Sequence, residues 1–338
     1  MDTATKNAGT KIPETLRGKD RDLLLRTLED MLRIRSFEEL AGRAYTQGKI
    51  SGFLHLYIGQ EAIAVGTREA MKPGDRIVAT YRSHGHALAL GSDPAACAGE
   101  LLGKATGLVG GVGGSMHFFD RDKGVWGGYA IIGNHVPVAA GHAFASKYSG
   151  TDEVTLCFLG DGAVGIGPTH EGMTLAALWK LPVVFVVENN RYSMGTPLRR
   201  TVPVEDITAR AAGYGMPSDR FTVTDPIQVR DRVGVAIERA RANQGPTLIE
   251  LLTYRFRGHS MSDPGKYRSK EELAAERERD PLEQVRRVLA QDHKVSEDEL
   301  EAIDDRVFEE MTVAYASADS APFPEPEHRF KNMYVEED

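Results

Sequence analysis

Val154-Thr-Leu-Cys-Phe-Leu159, Gly160-Asp161-Gly162, a helix-like run from about Pro168 to Lys180, then Val183-Val-Phe-Val-Val187 and Glu188-Asn189-Asn190: this stretch decides the fold. Two short, wholly apolar runs bounded by turn signals read as strands buried on both faces. A helix between them, with Pro168 in its first turn and Leu181-Pro182 after its end, makes a βαβ unit with parallel strands. In an open parallel sheet, ligands sit beyond the carboxyl ends of the strands. That rule sets Asp161 at one strand end and Asn190 at the next. A carboxylate and a side-chain amide are hard oxygen donors, the type Mg²⁺ takes when it also grips phosphates. The glycines around Asp161 let backbone N–H groups approach an anion, and the helix that follows adds its positive end.

Outward from this unit the pattern continues. Asp20 to Gly48 is a helix, with Leu24, Leu28, Met31 and Leu32 at helical spacing. Residues 60–70 form another, closed by Lys72-Pro73-Gly74-Asp75, and Ile77-Val78-Ala79 is a short strand leading to Thr80-Tyr81-Arg82. Residues 103–136, dense in glycine, read as a long ordered loop with a functional role. A buried helix is expected over Val136–Lys147, a further helix over Asp225–Asn243 and a strand over Thr247–Leu252. Charged helices follow Asp263-Pro264-Gly265. One covers Pro281–Gln291, and Ser296 with Glu299 forms a capping box opening the next. The expected architecture is α/β: one doubly wound, mostly parallel sheet over residues 51–265. A helical N-terminal extension (1–50) and a helical C-terminal region with an acidic tail (266–338) flank it.

The 338 residues are 41% apolar and 27% charged, enough to bury a core without crosslinks, with a net charge of −8. That balance argues against nucleic-acid or anionic-membrane binding. No apolar run is long enough to span a bilayer, and the polar start lacks a signal-peptide core. Two distant cysteines, Cys97 and Cys157, are no disulfide framework. The expectation is a cytoplasmic protein.

Gly160-Asp-Gly162-Ala-Val-Gly165 also fits the GxGxxG dinucleotide fingerprint, with Glu188 downstream. Asp161 weighs against a nicotinamide oxidoreductase, because a carboxylate inside the phosphate loop repels pyrophosphate unless a cation intervenes. His84 and His86 lack further ligands at zinc spacing.

Asp161 and Asn190 in this setting resemble the thiamine diphosphate motif. Further stretches extend the resemblance in colinear order over residues 20–320: Phe53-Leu-His-Leu-Tyr57, Tyr81-Arg82-Ser-His84-Gly85, Gly113-Gly-Ser-Met-His117, Asn190-Arg-Tyr-Ser-Met-Gly-Thr196 and Tyr254-Arg-Phe-Arg-Gly-His-Ser-Met-Ser-Asp-Pro-Gly265. Together they resemble the alpha subunit of the first component of 2-oxo acid dehydrogenase complexes, with the pyruvate branch closest. The resemblance implies that Asp161, Asn190 and the carbonyl of Tyr192 hold Mg²⁺. Tyr81 and Arg82 then contact the cofactor phosphates, as do the backbones of Gly162 and Ala163, while Ala130 and Ile132 lie along the aminopyrimidine ring. His259 becomes the loop histidine near the phosphate and reaction centre, with His55 and His84 as further active-site histidines.

The implied activity is oxidative decarboxylation of a small 2-oxo acid, pyruvate favoured over a branched-chain acid or acetoin. Thiamine diphosphate serves as electron sink, and the acyl group passes to the lipoyl arm of a dihydrolipoyl acyltransferase core. The family's activating glutamate lies in a separate beta subunit, which implies an α2β2 heterotetramer. The apolar 131–146 stretch is expected at a subunit contact. Ala130 replaces a glycine usual in the family, and Ala163-Val-Gly-Ile-Gly167 departs from the common run. Ser260 stands where animal homologues carry a regulatory phosphoserine, but the loop is shorter near Lys266, and kinase control is not expected.

Overall fold

The structure is a computed structural model that describes residues 12–331. The polar residues 1–11 and the end of the acidic tail, 332–338, lie outside the described residues. In chain order come α1 (Arg21–Thr46), α2 (Glu61–Ala70), β1 (Arg76–Thr80), α3 (His84–Ala89), α4 (Pro94–Leu101), β2 (Val125–Tyr129), α5 (His135–Ser149) and β3 (Thr155–Gly160). They are followed by α6 (Gly167–Leu178), β4 (Val183–Asn189), the two-residue strands β5 (Tyr192–Ser193) and β6 (Thr196–Pro197), β7 (Ser218–Thr222), α7 (Pro226–Arg241) and β8 (Thr247–Leu252). Helices α8 (Lys270–Arg277), α9 (Pro281–Asp292) and α10 (Glu297–Ser320) complete the chain.

Six strands form one sheet in the order β2-β1-β3-β4-β8-β7, every neighbouring pair parallel. The two apolar runs that decided the fold are its centre, β3 and β4, paired from Thr155 with Val183 to Gly160 with Glu188. Their alternation feeds two cores. Leu156, Phe158, Val184 and Val186 face the side covered by α1, α2, α7, α9 and α10. Cys157, Leu159, Val183, Phe185 and Val187 face the side covered by α5 and α6. Burial on both faces is why these strands carry no polar alternation. Asp20 caps α1 by accepting from the amides of Asp22 and Leu23, and the Ser296–Glu299 capping box opens α10. The two long end helices, α1 and α10, pack on one another. On the same side α2 lies against α7 so closely that a Cβ on Gly66 would stand 2.3 Å from the Pro226 carbonyl oxygen.

One expectation needs correction, and one strand had no reading in the sequence. The segment 103–136 is not wholly loop, because Val125–Tyr129 adds to the sheet as its β2 edge. With two glycines in five residues and pairing to β1 alone, it carries little strand signal of its own. The other edge, β7, reads Ser-Asp-Arg-Phe-Thr, with only Phe221 buried. Tertiary pairing to β8, not propensity, makes it a strand.

Candidate functional site

All the parallel strands end at the same rim, and a cavity of about 810 Å³ opens there. Thr80, Tyr81 and Arg82 enter it from the end of β1, Ala130 and Ile132 from the residues after β2, Gly160 to Ala163 from β3, and Glu188 and Asn190 from β4. Residues 192–195 and the loop from Arg255 to Tyr267 close it on one side, with Phe53 and His55 beside them. The cavity thus gathers Asp161, Asn190, Tyr192, Tyr81, Arg82, Ala130, Ile132, Gly162, Ala163, His55 and His259. His84 is the one expected site residue it does not include.

Asp161 is buried, and its Oδ2 accepts from Ser193 Oγ at 3.1 Å. Burial pushes its carboxyl up to about 6, with Ser193 and Arg255 opposing. Among the described residues no Lys or Arg forms an ion pair with this carboxylate within 4.0 Å. Asn190 Nδ2 donates to Gln60 Oε1 at 3.0 Å, which leaves Oδ1 turned towards Arg255. Arg255 Nη1 reaches both Asn190 Oδ1 and the Tyr192 carbonyl at 3.4 Å. Two oxygens that the resemblance gives to a divalent ion therefore have, from Arg255, only long, weak contacts at 3.4 Å. The donor set is a carboxylate, an amide oxygen and a main-chain carbonyl, which suits a hard ion that keeps other ligands from phosphate. Among the described residues no three His, Cys, Asp or Glu side chains cluster as a self-sufficient metal cage.

Two guanidiniums line the cavity without a carboxylate partner within 4.0 Å among the described residues: Arg82, 4% exposed, and Arg255, 2% exposed. Arg82 is held by main-chain oxygens, those of Leu56 and of His259, the latter at 2.8 Å from Nη2. Burial, reinforced by Arg255, lowers its pKa to about 10. Arg255 adds Nη2 bonds to Met194 O at 2.9 Å and Tyr267 Oη at 2.7 Å. Two buried, unpaired cations at one cavity call for an anion of matching charge. The buried atoms His55 Nδ1, Gln60 Nε2 and His259 Nδ1 have no hydrogen-bond partner and line the same space.

The turn after β3 separates this arrangement from a dinucleotide fingerprint. Asp161–Gly165 forms a short 3₁₀ turn, and α6 starts only at Gly167 with Ile166 as its extended cap residue.

His55, Tyr81 and His259 form an aromatic wall, with ring centroids 4.5 Å (His55–Tyr81), 5.1 Å (His55–His259) and 5.6 Å (Tyr81–His259) apart. Burial, then Arg82, lowers His55 to about 2 and His259 to about 4. Both rings are thus neutral at physiological pH. The loop bearing His259 is tied by Asp263, whose Oδ2 accepts from the His259 amide at 2.6 Å and from Tyr267 Oη at 2.7 Å, and whose Oδ1 accepts from Gly265 N at 2.8 Å.

His84 is fully buried behind this wall. Its Nδ1 faces both oxygens of Glu38 at 3.1 Å, and its Nε2 lies 3.0 Å from both the carbonyl and the hydroxyl of Ser115. Ser115 Oγ also accepts from the His55 amide at 3.2 Å. His84 thus contacts Glu38 and Ser115 and is not among the residues lining the cavity. Arg255, Glu38 and Gln60 had no role in the sequence reading. Arg255 stands two positions before Arg257 in a run that marks no charge partner, and the other two became visible only through long-range contacts.

A family model described as dehydrogenase E1 component matches residues 29–327. The chain is 45% identical over 315 residues to the pyruvate dehydrogenase E1 component subunit alpha of Rhizobium meliloti, covering 92% of this chain and 89% of the relative. The subunit of the same name from Zymomonas mobilis is 43% identical, with 94% and 90% covered. The chloroplastic subunit alpha-3 of Arabidopsis thaliana is 40% identical, with 92% and 74% covered. With nearly its whole length matched, the chain belongs to the dehydrogenase E1 component family.

Proposed function

We propose that this chain is the alpha subunit of a thiamine diphosphate-dependent pyruvate dehydrogenase that decarboxylates pyruvate and acylates the lipoyl group of a dihydrolipoyl acyltransferase core. Family membership and the names of the relatives support the activity and the cofactor. The observation that carries the reading of the site is that two buried guanidiniums with no carboxylate within 4.0 Å among the described residues, Arg82 and Arg255, line the same cavity as Asp161 and Asn190. Mg²⁺ held by Asp161, Asn190 and the Tyr192 carbonyl is supported by the under-satisfied oxygens of that set. Arg82, Tyr81 and the backbone at Gly162 and Ala163 bind the diphosphate, while Ala130 and Ile132 flank the pyrimidine end.

The bound cofactor supplies an electron sink for loss of CO₂ from the 2-oxo acid. The chain orients it, offers apolar contact from Phe53 and Met116, which line the cavity, and offers the neutral His259 ring to take or give a proton at Nδ1 or Nε2. His55 packs against His259 and fixes its plane. His84 positions Ser115 and through it His55.

A beta subunit completes the site in an α2β2 assembly. Support comes from apolar groups left on α5, on α6 and just beyond it: Phe144 is 46% exposed, Tyr148 84%, Leu178 72% and Trp179 45%. Among the described residues no helix is long and apolar enough to cross a membrane, and a cytoplasmic setting is part of the proposal.

Co-production with a beta subunit, followed by decarboxylation assays on pyruvate, branched 2-oxo acids and acetoin, tests the reading. Pyruvate turnover dependent on thiamine diphosphate and Mg²⁺ is expected. A preference for acetoin or a branched acid would move the chain to a sister branch. Absence of cofactor binding, with NADH bound instead, would sink the reading altogether.

A further inference from the structure

Glu100, in the last turn of α4, is fully buried and lies outside the cavity. Its Oε2 accepts from the amides of Val109 at 2.9 Å and Gly111 at 3.0 Å, and its Oε1 from those of Gly113 at 2.7 Å and Gly114 at 3.0 Å. One carboxylate thus satisfies four main-chain donors of a glycine-rich segment that forms neither helix nor strand before Gly114. The segment has room for little else. A Cβ on Gly107 would stand 2.5 Å from Glu100 Oε2, and one on Gly111 the same distance from the Lys104 carbonyl oxygen. Gly111 and Gly114 also hold φ of +79° and +60°.

The segment then delivers two residues to the site. Met116 lines the cavity. Ser115 accepts from the His55 amide and contacts His84, which faces Glu38.

We propose that Glu100 is a positioning residue for the cofactor seat: by gathering the amides of 109–114 it fixes Ser115 and Met116, and through Ser115 the wall that carries His55. The inference rests on the cavity being the thiamine diphosphate seat. Without the carboxylate the glycine-rich segment samples many backbone states, and binding must first collect them into one. Cofactor affinity therefore falls more than the rate of the loaded enzyme.

The test uses Glu100→Gln in the chain co-produced with its beta subunit. An amide side chain has one acceptor oxygen and turns an NH₂ group towards two N–H donors. Hydrogen exchange at residues 109–114 is expected to accelerate by about 100-fold or more, with β3 and β4 unchanged. The concentration of thiamine diphosphate for half-saturation should rise by about tenfold, with kcat at saturation falling much less. Glu100→Asp, which keeps the charge, should recover part of the affinity.

Unchanged exchange, acceleration spread over the whole chain, unchanged half-saturation, or a loss confined to kcat would each overturn the proposal. If Glu100→Gln does not fold, Gly114→Ala serves. Nothing lies within 4 Å of its added Cβ, so only the positive φ is strained, and the same shifts are expected at smaller size. Failure of the wild-type chain to bind the cofactor would fault the reading of the cavity, whereas equal binding by wild type and variant would fault the role of Glu100 alone.

Discussion

The main-chain oxygen of His259 accepts a hydrogen bond from Arg82 Nη2 at 2.8 Å, although the two residues are 177 positions apart. One guanidinium, rooted just beyond the end of β1, therefore both offers charge to the cavity and holds the backbone of a histidine that lines it. Arg82→Ala should lose both. Charge-assisted bonds of this kind contribute about 1.5–3 kcal/mol each, so thiamine diphosphate affinity should fall about 10- to 100-fold. A drop in kcat should accompany it as His259 loses its anchor. Arg82→Lys keeps the charge without the fork and should recover affinity only in part. Titration of cofactor-dependent activity with each variant measures both effects.

Asp161→Asn separates the intrinsic stability of the chain from the stability a ligand adds. The wild-type carboxylate is buried with one hydroxyl partner, so the unliganded variant should be as stable as wild type or slightly more so. In Mg²⁺ and thiamine diphosphate the wild type should gain a thermal shift that the variant lacks. An equal shift in both would remove Asp161 from the ion's ligands.

His259 makes stability depend on pH in a fixed direction. Its folded pKa is lowered from 6.5 to about 4. Between those values the unfolded chain binds a proton that the folded chain refuses, so stability is full above pH 6.5 and declines as pH falls towards 4. His55, lowered to about 2, acts in the same sense over a wider window. His259→Gln should flatten the slope of unfolding free energy against pH between 4 and 6.5 by close to one proton, read from urea unfolding at a series of pH values.

Leu178→Glu and Tyr148→Glu change side chains that are mostly exposed, so the chain should fold normally. If this face meets the beta subunit or a second alpha subunit, buried carboxylates there should weaken assembly by about tenfold or more, seen by sedimentation. Unaltered assembly would assign the contact to another face.

Gly66→Ala probes the packing of α2 on α7. The added methyl would meet the Pro226 carbonyl oxygen at 2.3 Å and Val229 Cβ at 2.7 Å, neither of them a flexible side-chain end. Overpacking at such a site costs about 1–3 kcal/mol. A denaturant midpoint unchanged from wild type would contradict that closeness.

Much of this architecture was legible in the sequence because the central strands are extreme. Val183 to Val187 has no polar residue, which only a strand or helix buried all round tolerates, and its shortness selects the strand. The edges were not legible. β2 and β7 each have one neighbour, carry glycine or charge, and take their conformation from pairing. The same contrast divides the site. Asp161 and Asn190 stand at predictable strand ends, and the family resemblance supplied Arg82 and His259. Arg255 and Glu100 were missed because most of the partners of Arg255 and all four amides held by Glu100 are main-chain atoms, and no side-chain pattern records which carbonyl or amide will come within reach. His84 stands apart from the other expected site residues: it is buried against Glu38 and Ser115 and does not line the cavity.

At the other rim of the sheet the strands begin in solvent-facing bends, at 151–152 before β3 and at 243–244 before β8. They are braced there by the Arg241–Asp75 and Arg76–Glu153 pairs. Whatever is attached to those bends has the full length of the strands between it and the cavity. A fluorophore or affinity handle grafted at 243–244 can therefore report on how the assembled complex moves while leaving turnover as it was.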